Sequence, residues 1–323
     1  MEMPVATLAP TSHWSELDGL RGYLALAVVA LHFGISTFLT RALGLWPLPL
    51  GLAVDVFFML SGFVLTHSLR KAPPWPRFAF KRVVRLVPVY LATLALLLPI
   101  SVLTPGEVAL NLIVASPWLG LDLLNFPAWS ICWELYLPVL AYCLPIRIGD
   151  ALIRPMLVFC LVALGWCDVQ VAGGAYFYPA RAILGLLAGH LLFRSKLECG
   201  WRFQLTALPV LATIGIAGAW HLLAAVLPLL TALALVSRKS GTGFFALPIS
   251  NAIGAISYTV YLAHVPVLRA MQYAWPGSVD HNPLVKLIGF GATLVLATII
   301  SLGIERPAMK WGADRLHRSK YGA

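Results

Sequence analysis

Apolar stretches recur along the whole chain and are separated by short segments rich in charge, Pro or Gly. A helix needs about 20 predominantly apolar residues to cross the hydrocarbon core of a bilayer. Runs close to that length predict ten transmembrane helices, at residues 17–38, 48–69, 83–103, 129–146, 152–168, 178–194, 203–219, 221–236, 250–272 and 284–304. The amphipathic, Pro-broken segment 104–128 is expected to be re-entrant or interfacial.

Composition supports an all-α integral membrane protein. Of the 323 residues, 60% are hydrophobic and 11% are charged, against about 25% charged in soluble proteins. So few charges could not cover the surface of a water-soluble globule, which excludes a secreted or cytosolic enzyme and a soluble domain on one anchor. No removable signal peptide is expected. The five cysteines show no paired metal-binding spacing, so no metal site is predicted.

The net charge of +10 is interpreted as positive-inside bias and not as a nucleic-acid surface. Most Lys and Arg residues fall in alternate loops when the N-terminus is placed in the cytoplasm. The predicted organisation is a cytoplasmic segment 1–16, a ten-helix transmembrane domain 17–304 and a basic cytoplasmic tail 305–323, with both termini inside.

Ionisable residues inside a membrane are costly and usually mark function. Arg21 and His32 lie on the first predicted helix, and their spacing of 11 residues turns the helix by 1100°, within about 20° of whole turns. Both side chains therefore share a face, about 16 Å apart along the axis. For Arg21 alone an interfacial role is favoured, whereas for His32 a functional role is favoured over a structural hydrogen bond.

Two carboxylates are predicted at the depth of His32. Asp55 on the second helix and Glu134 on the fourth would orient the imidazole ring and stabilise its protonated form. The nearby Ser61-Gly62 pair is interpreted as a small-residue contact between helices. The ninth helix adds Ser257, Tyr258, Tyr261 and His264 to this layer. Together these residues predict a closed polar chamber in which a proton can move, with a structural polar network as the alternative.

A basic cluster opens the third helix at its cytoplasmic end. Lys81, Arg82 and Arg85 lie near a helix N-terminus, which attracts anions, and arginine forks suit phosphate. Such clusters often serve topology and lipid headgroups. Combined with Arg21, a site for a phosphate-bearing cofactor becomes the better interpretation.

These motifs resemble the membrane acyltransferase family 3, multi-pass enzymes that O-acylate extracytoplasmic glycans and some antibiotics. The resemblance covers nearly the whole chain. It depends on Leu17-Asp-Gly-Leu-Arg21-Gly with His32, Asp55 to Phe63, Arg82-Val-Val-Arg85-Leu-Val-Pro88, Trp129-Ser130 with Glu134, Ile256-Ser257-Tyr258 with Tyr261 and His264, and Glu305-Arg306-Pro307.

The resemblance implies ten helices, a cytoplasmic acyl-CoA donor and transfer across the membrane to a hydroxyl. It also implies that Arg21 and His32 are essential and that Arg82 and Arg85 serve the donor. Of the acidic pair usual after the Trp-Ser motif, only Glu134 carries over. Fused members of the family carry a further esterase-like domain that would position the acceptor. In this sequence the acceptor is expected to be positioned by the membrane domain, by its outer loops or by a separate protein.

The favoured hypothesis is an O-acyltransferase of a bacterial inner membrane that moves an acyl group, preferably acetyl, from acyl-CoA to a saccharide hydroxyl. His32 would act as general base, with Asp55 or Glu134 orienting it, and an acyl-enzyme route is the alternative to direct transfer. The CoA phosphates would be held by Arg21, Lys81, Arg82 and Arg85, and the acceptor by Tyr258, Tyr261 and His264. A transporter or flippase of a glycan or lipid-linked intermediate, or an assembly scaffold, would carry similar buried charges.

Overall fold

The computed structural model describes residues 14–44, 50–70, 73–101, 103–115, 123–143, 149–172, 178–196, 243–277 and 281–321. Every regular element within these ranges is helical. In chain order the α-helices are α1 Ser15–His32, α2 Ile35–Ala42, α3 Ala53–Leu69, α4 Trp75–Leu97, α5 Pro105–Leu112, α6 Trp129–Cys143, α7 Asp150–Ala172, α8 Tyr178–Ser195, α9 Pro248–Ala255, α10 Ser257–Ala274, α11 Pro283–Ile300 and α12 Arg306–Tyr321.

Several of these helices could cross a membrane by length and apolarity. Four qualify as they stand, and up to six if each of two bent pairs forms one span. The unbent four are Leu50–Leu69, Trp75–Ile100, Asp150–Cys167 and Pro283–Arg318. The predicted spans 203–219 and 221–236 lie outside the described residues, so the count of ten and the cytoplasmic termini stay predictions.

The first predicted span is not one straight helix. Helix α1 ends at His32, and α2 leaves at an angle of 78°. The break lies at Gly34, whose φ of +64° is the left-handed conformation that glycine adopts without steric cost. His32 therefore occupies the last turn of α1, directly before the bend.

The ninth predicted span, 250–272, is also bent. Its two halves, α9 and α10, meet at 58°, and Ile256 between them has non-helical torsion angles. Helix α9 lies tightly against α1, because Gly254 leaves no room for a β-carbon beside the backbone of Asp18. Packing on α1 fixes α9, and α10 starts in a new direction from Ser257.

The last predicted span, 284–304, extends further than expected. Helix α11 continues through a π-helical turn, Ser301–Glu305, into α12. Short π-turns are rare and are often found near functional sites. Here the Glu305 carboxylate accepts hydrogen bonds from Thr259 and Ser301 at 2.6 and 2.7 Å, which ties α11 to α10.

Helices α3 and α8 approach through glycines. A β-carbon on Gly62 would overlap the backbone of Leu186, and one on Gly189 would overlap the backbone of Met59. Small residues allow this separation between membrane helices. The prediction that Gly62 forms a small-residue contact between helices is confirmed. Helix α1 packs against three helices, α3, α9 and α10.

Candidate active site

Helix α1 carries two functional side chains at different levels. Arg21 and His32 belong to one unbroken helix, so the predicted separation of about 16 Å along its axis holds. Arg21 lines a basic cavity, whereas His32 is hydrogen-bonded to a second histidine.

The basic cavity lies between α1, α3, α4 and α6 and has a volume of about 600 Å³. That volume falls within the 300–1,000 Å³ typical of small-molecule sites. Its lining is strongly cationic, and among the described residues that form it Glu134 is the one acidic residue. The basic lining residues are Arg21, Arg77, Lys81, Arg82 and Arg85, with His67 beside them.

The cations of this cavity differ in how they are held. Arg82 is buried, and its guanidinium donates to the backbone carbonyl of Glu134 through Nε at 3.1 Å and through Nη2. Lys81 and Arg85 are exposed to the cavity. Among the described residues neither forms an ion pair or a side-chain hydrogen bond. The Arg82 guanidinium thus uses its hydrogen bonds within the protein, while Lys81 and Arg85 can bind an anion.

Glu134 lies in this cavity and not beside His32. Its carboxylate accepts a hydrogen bond of 2.8 Å from Ser61 and lies 3.4 Å from Nη2 of Arg82. The prediction that Glu134 orients the imidazole is therefore wrong. Helix α6 begins only at Trp129, which places Glu134 more than one turn along it, level with Arg82 on α4. Ser61, interpreted as a packing residue, also lines the cavity.

A narrow passage of about 50 Å³ adjoins the basic cavity. It shares Arg21, Arg85, Ser61 and Glu134 with the cavity, and its other wall residues are Phe57, Phe58, Leu86, Ser130, Ile131, Ser257, Tyr258 and Tyr261. The passage therefore extends from the cationic lining towards an apolar and hydroxyl-bearing wall.

Both predicted tyrosines line this passage with their hydroxyl groups engaged. Tyr258 donates to the carbonyl of Leu86 at 2.6 Å. Tyr261 donates to the carbonyl of Pro127 at 2.8 Å and shares a 2.9 Å hydrogen bond with Ser130. The ring of Tyr261 lies 6.3 Å from that of His264, centroid to centroid. Tyr261 thus separates the passage from the imidazole level.

The imidazole pair joins α1 to α10. Nδ1 of His32 and Nε2 of His264 are 2.8 Å apart, and the rings are parallel within 3°. This separation is that of a hydrogen bond and is too short for stacked rings. His264 is fully buried, while His32 is half-buried. His264 therefore contacts the base candidate directly, which the prediction of a substrate-binding role did not include.

Asp55 has a different partner from the one predicted. Its two oxygens accept hydrogen bonds of 2.9 and 2.6 Å from Nε and Nη2 of Arg181, and both side chains are buried. The prediction that Asp55 orients His32 is wrong, because a bidentate arginine satisfies the carboxylate. Arg181 also lies over the ring of Trp129 at 5.6 Å.

Sequence reasoning missed two residues that hold the site. Arg181 was not among the candidates, although its position near the start of the apolar span 178–194 is a signal of burial. Asn125 is fully buried and donates to Thr93 and to the carbonyl of Leu262. It anchors the turn that places the edge of Phe126 against His32, with centroids 4.8 Å apart.

The chain is similar to known proteins over most of its length. A family model described as an acyltransferase domain matches residues 14–302. Protein 2 in the picA locus of Rhizobium radiobacter is 34% identical over 158 residues, covering 39% of this chain and 80% of the relative. Acyltransferase MdmB of Streptomyces mycarofaciens is 29% identical over 184 residues, covering 50% of this chain and 45% of the relative. No solved structure matches the chain.

Proposed function

This chain belongs to acyltransferase family 3, and from that membership we propose that it transfers an acyl group from cytoplasmic acyl-CoA to an extracytoplasmic hydroxyl. Acetyl is the favoured acyl group and a saccharide the favoured acceptor. Both relatives come from bacteria, so the proposed location is a bacterial cytoplasmic membrane. We also propose that a separate protein presents the acceptor to this chain.

One observation carries this proposal: a single helix, α1, lines a cationic cavity with Arg21 and presents an imidazole at His32 about 16 Å away. An acyl-CoA molecule has the matching form, with phosphates at one end and a thioester at the other. The narrow passage extends from the cavity to Tyr261, whose ring lies 6.3 Å from that of His264, centroid to centroid.

The proposed donor site uses the cavity cations in two ways. Lys81 and Arg85 have their charges available and would bind the CoA phosphates, with Arg21 at the inner wall. Arg82 would contribute positive potential from a fixed position, since its fork is held by Glu134. Charge-assisted hydrogen bonds to phosphate are about twice as strong as neutral ones.

The proposed chemistry is a direct transfer. The acceptor oxygen attacks the thioester carbonyl carbon while its proton passes to His32. The carbon–sulfur bond then breaks, the ester remains on the acceptor, and the proton moves from His32 to the CoA thiolate. A histidine near neutral pH is the common general base for such a step, and alignment of both substrates supplies much of the rate.

Glu134 and Asp55 have structural roles in this proposal and do not orient His32. Glu134 acts at the donor level, where it sets the position of Arg82. Asp55 acts through Arg181 as part of the frame around Trp129. Tyr258 and Tyr261 form the wall of the passage along which the acyl arm would lie.

The test compares cells that express the wild-type chain, His32→Ala or no copy, at matched protein levels. Mass analysis of surface polysaccharide should show an added acyl mass only with the wild-type chain. General-base residues contribute about 100-fold or more to rate, so His32→Ala should lose nearly all O-acyl groups. Unchanged acylation in His32→Ala would contradict the proposed mechanism, and glycan export without acylation would support the transporter.

A further inference from the structure

The hydrogen bond between His32 and His264 raises the question of which ring carries the proton. A neutral imidazole has one N–H, so one ring donates and the other accepts. The choice determines the state of the outer nitrogen of His32. If His32 donates through Nδ1, its Nε2 has a free lone pair; if it accepts at Nδ1, its Nε2 carries hydrogen.

The surroundings of His264 favour one arrangement. Nδ1 of His264 is buried, and no hydrogen-bond partner with normal geometry lies against it in the described part of the chain. The backbone carbonyl groups of Val260 and Tyr261, four and three residues earlier in α10, interact with the ring. Nδ1 is the ring nitrogen on their side, because Nε2 faces His32. Carbonyls accept hydrogen bonds and cannot donate, so a proton on Nδ1 is attracted and a lone pair there is repelled. The remaining nitrogen, Nε2 of His264, is then an acceptor.

We propose that His264 is a positioning residue that accepts the Nδ1–H of His32 and thereby keeps Nε2 of His32 free to take the proton of the acceptor hydroxyl. This inference rests on the proposed function. It replaces the substrate-binding role first predicted for His264. The arrangement uses the logic of a catalytic triad, in which a third group fixes the tautomer and orientation of the base.

The pair is held firmly enough for this role. His264 is 0% exposed and belongs to α10, whereas His32 ends α1 at the bend near Gly34. Phe126 contacts both rings edge-on, with centroids 4.8 Å from His32 and 6.2 Å from His264. The imidazole of His32 is therefore confined on two sides, and its Nε2 points away from His264 because ring geometry places the two nitrogens apart.

The proposed step balances without any further reagent. Nε2 of His32 accepts the hydroxyl proton as the oxygen–carbon bond forms, and the imidazolium keeps Nδ1–H bonded to Nε2 of His264. The thioester carbon–sulfur bond then breaks, and the same proton passes from His32 to the thiolate. His264 neither gains nor loses a proton, so it acts only through the orientation of His32.

Two substitutions separate positioning from packing. His264→Leu fills a similar volume and removes the acceptor, whereas His264→Gln can accept from Nδ1–H through its amide oxygen. We expect His264→Leu to lower the maximal rate of labelled acetyl transfer in membrane vesicles by about 100-fold or more, with the half-saturating acetyl-CoA concentration unchanged. His264→Gln should stay within about 10-fold of wild type. A full rate in His264→Leu would overturn the proposal.

The tautomer itself can be measured in the unmodified protein. Magic-angle-spinning NMR of ¹⁵N-histidine-labelled protein in bilayers, with His32 assigned by comparison with His32→Asn, reports which nitrogen carries hydrogen. The proposal requires Nδ1–H and a bare Nε2 on His32. Hydrogen on Nε2 overturns it even if both His264 variants fail to fold. Absence of labelled acetyl transfer by the wild-type protein would instead reject the proposed function.

Discussion

Asp55 and Arg181 form a bidentate ion pair between α3 and α8, with both side chains almost completely buried. This pair holds the framework of the site, since the guanidinium also lies over Trp129 at the start of α6. Breaking a buried pair leaves one charge without a partner, which typically costs about 3–5 kcal/mol. Removing both charges avoids that penalty.

We therefore predict that Asp55→Leu and Arg181→Met each lower thermal stability strongly, while the double variant recovers much of the loss. Fluorescence-detected size-exclusion chromatography after heating in detergent measures this directly. The account of this pair fails if the double variant is as unstable as the sum of the two single variants.

Substitutions of the basic residues that line the cavity should have two different effects. Lys81→Gln and Arg85→Gln should each weaken acetyl-CoA binding about 10-fold or more with little change in stability, because hydrogen bonds to charged groups contribute about 1.5–3 kcal/mol. Arg82→Gln should reduce both binding and stability, since it also loses its bonds to Glu134.

Equilibrium binding of acetyl-CoA to protein in nanodiscs tests this division. Arg154→Gln is the matched control, because Arg154 is an exposed arginine on α7 and is not among the residues lining the cavity. Equal losses of affinity in Arg154→Gln and Arg85→Gln would show that only general surface charge is involved.

The position of a polar side chain along its own helix could be predicted from the sequence more readily than the side chain that it contacts on another helix. The 11-residue spacing of Arg21 and His32 fixed their shared face, because helix geometry alone determines it. Partner choice depends on how helices rotate and slide against each other. Asp55 and His32 were assigned to one depth, yet Arg181 on α8 lies closer to the carboxylate, and sequence spacing carries no information on that contact.

Bends were also invisible to the hydrophobic pattern. Residues 17–38 are predominantly apolar, but Gly34 adopts a left-handed conformation and α1 ends at His32, just before it. At Ile256 the break follows from the packing of α9 against α1, which is a tertiary effect. Glu134 was misplaced for a related reason, since its depth was counted from an assumed membrane boundary.

The α3–α8 interface gives a prediction on stability. Gly62→Ala should be strongly destabilising, because the new β-carbon would overlap the backbone of Leu186. Gly291→Ala is the control: it lies in α11 with open space around it, so alanine should be neutral or stabilising by about 0.5–1 kcal/mol. Melting of the two variants in the same detergent measures the difference, and similar melting temperatures would contradict the close contact.

The narrow passage gives a prediction on rate. Ser257 lines it and is mostly buried, so Ser257→Leu should obstruct the acyl arm and lower acetyl transfer at least about 10-fold. Ser257→Leu should still bind CoA, whose phosphates are held in the basic cavity. Ser195→Leu at the end of α8 serves as control. If Ser257→Leu transfers acetyl at the wild-type rate, the passage is not the route of the donor arm.

The proposed enzyme moves an acyl group from one side of the membrane to the other. This transfer is measured by supplying radiolabelled acetyl-CoA to the cytoplasmic face of inverted membrane vesicles and following alkali-labile label on lumenal saccharide. We expect ester-bound label in the lumen with the wild-type chain and almost none with His32→Ala. Lumenal saccharide that accumulates without ester-bound label would contradict it.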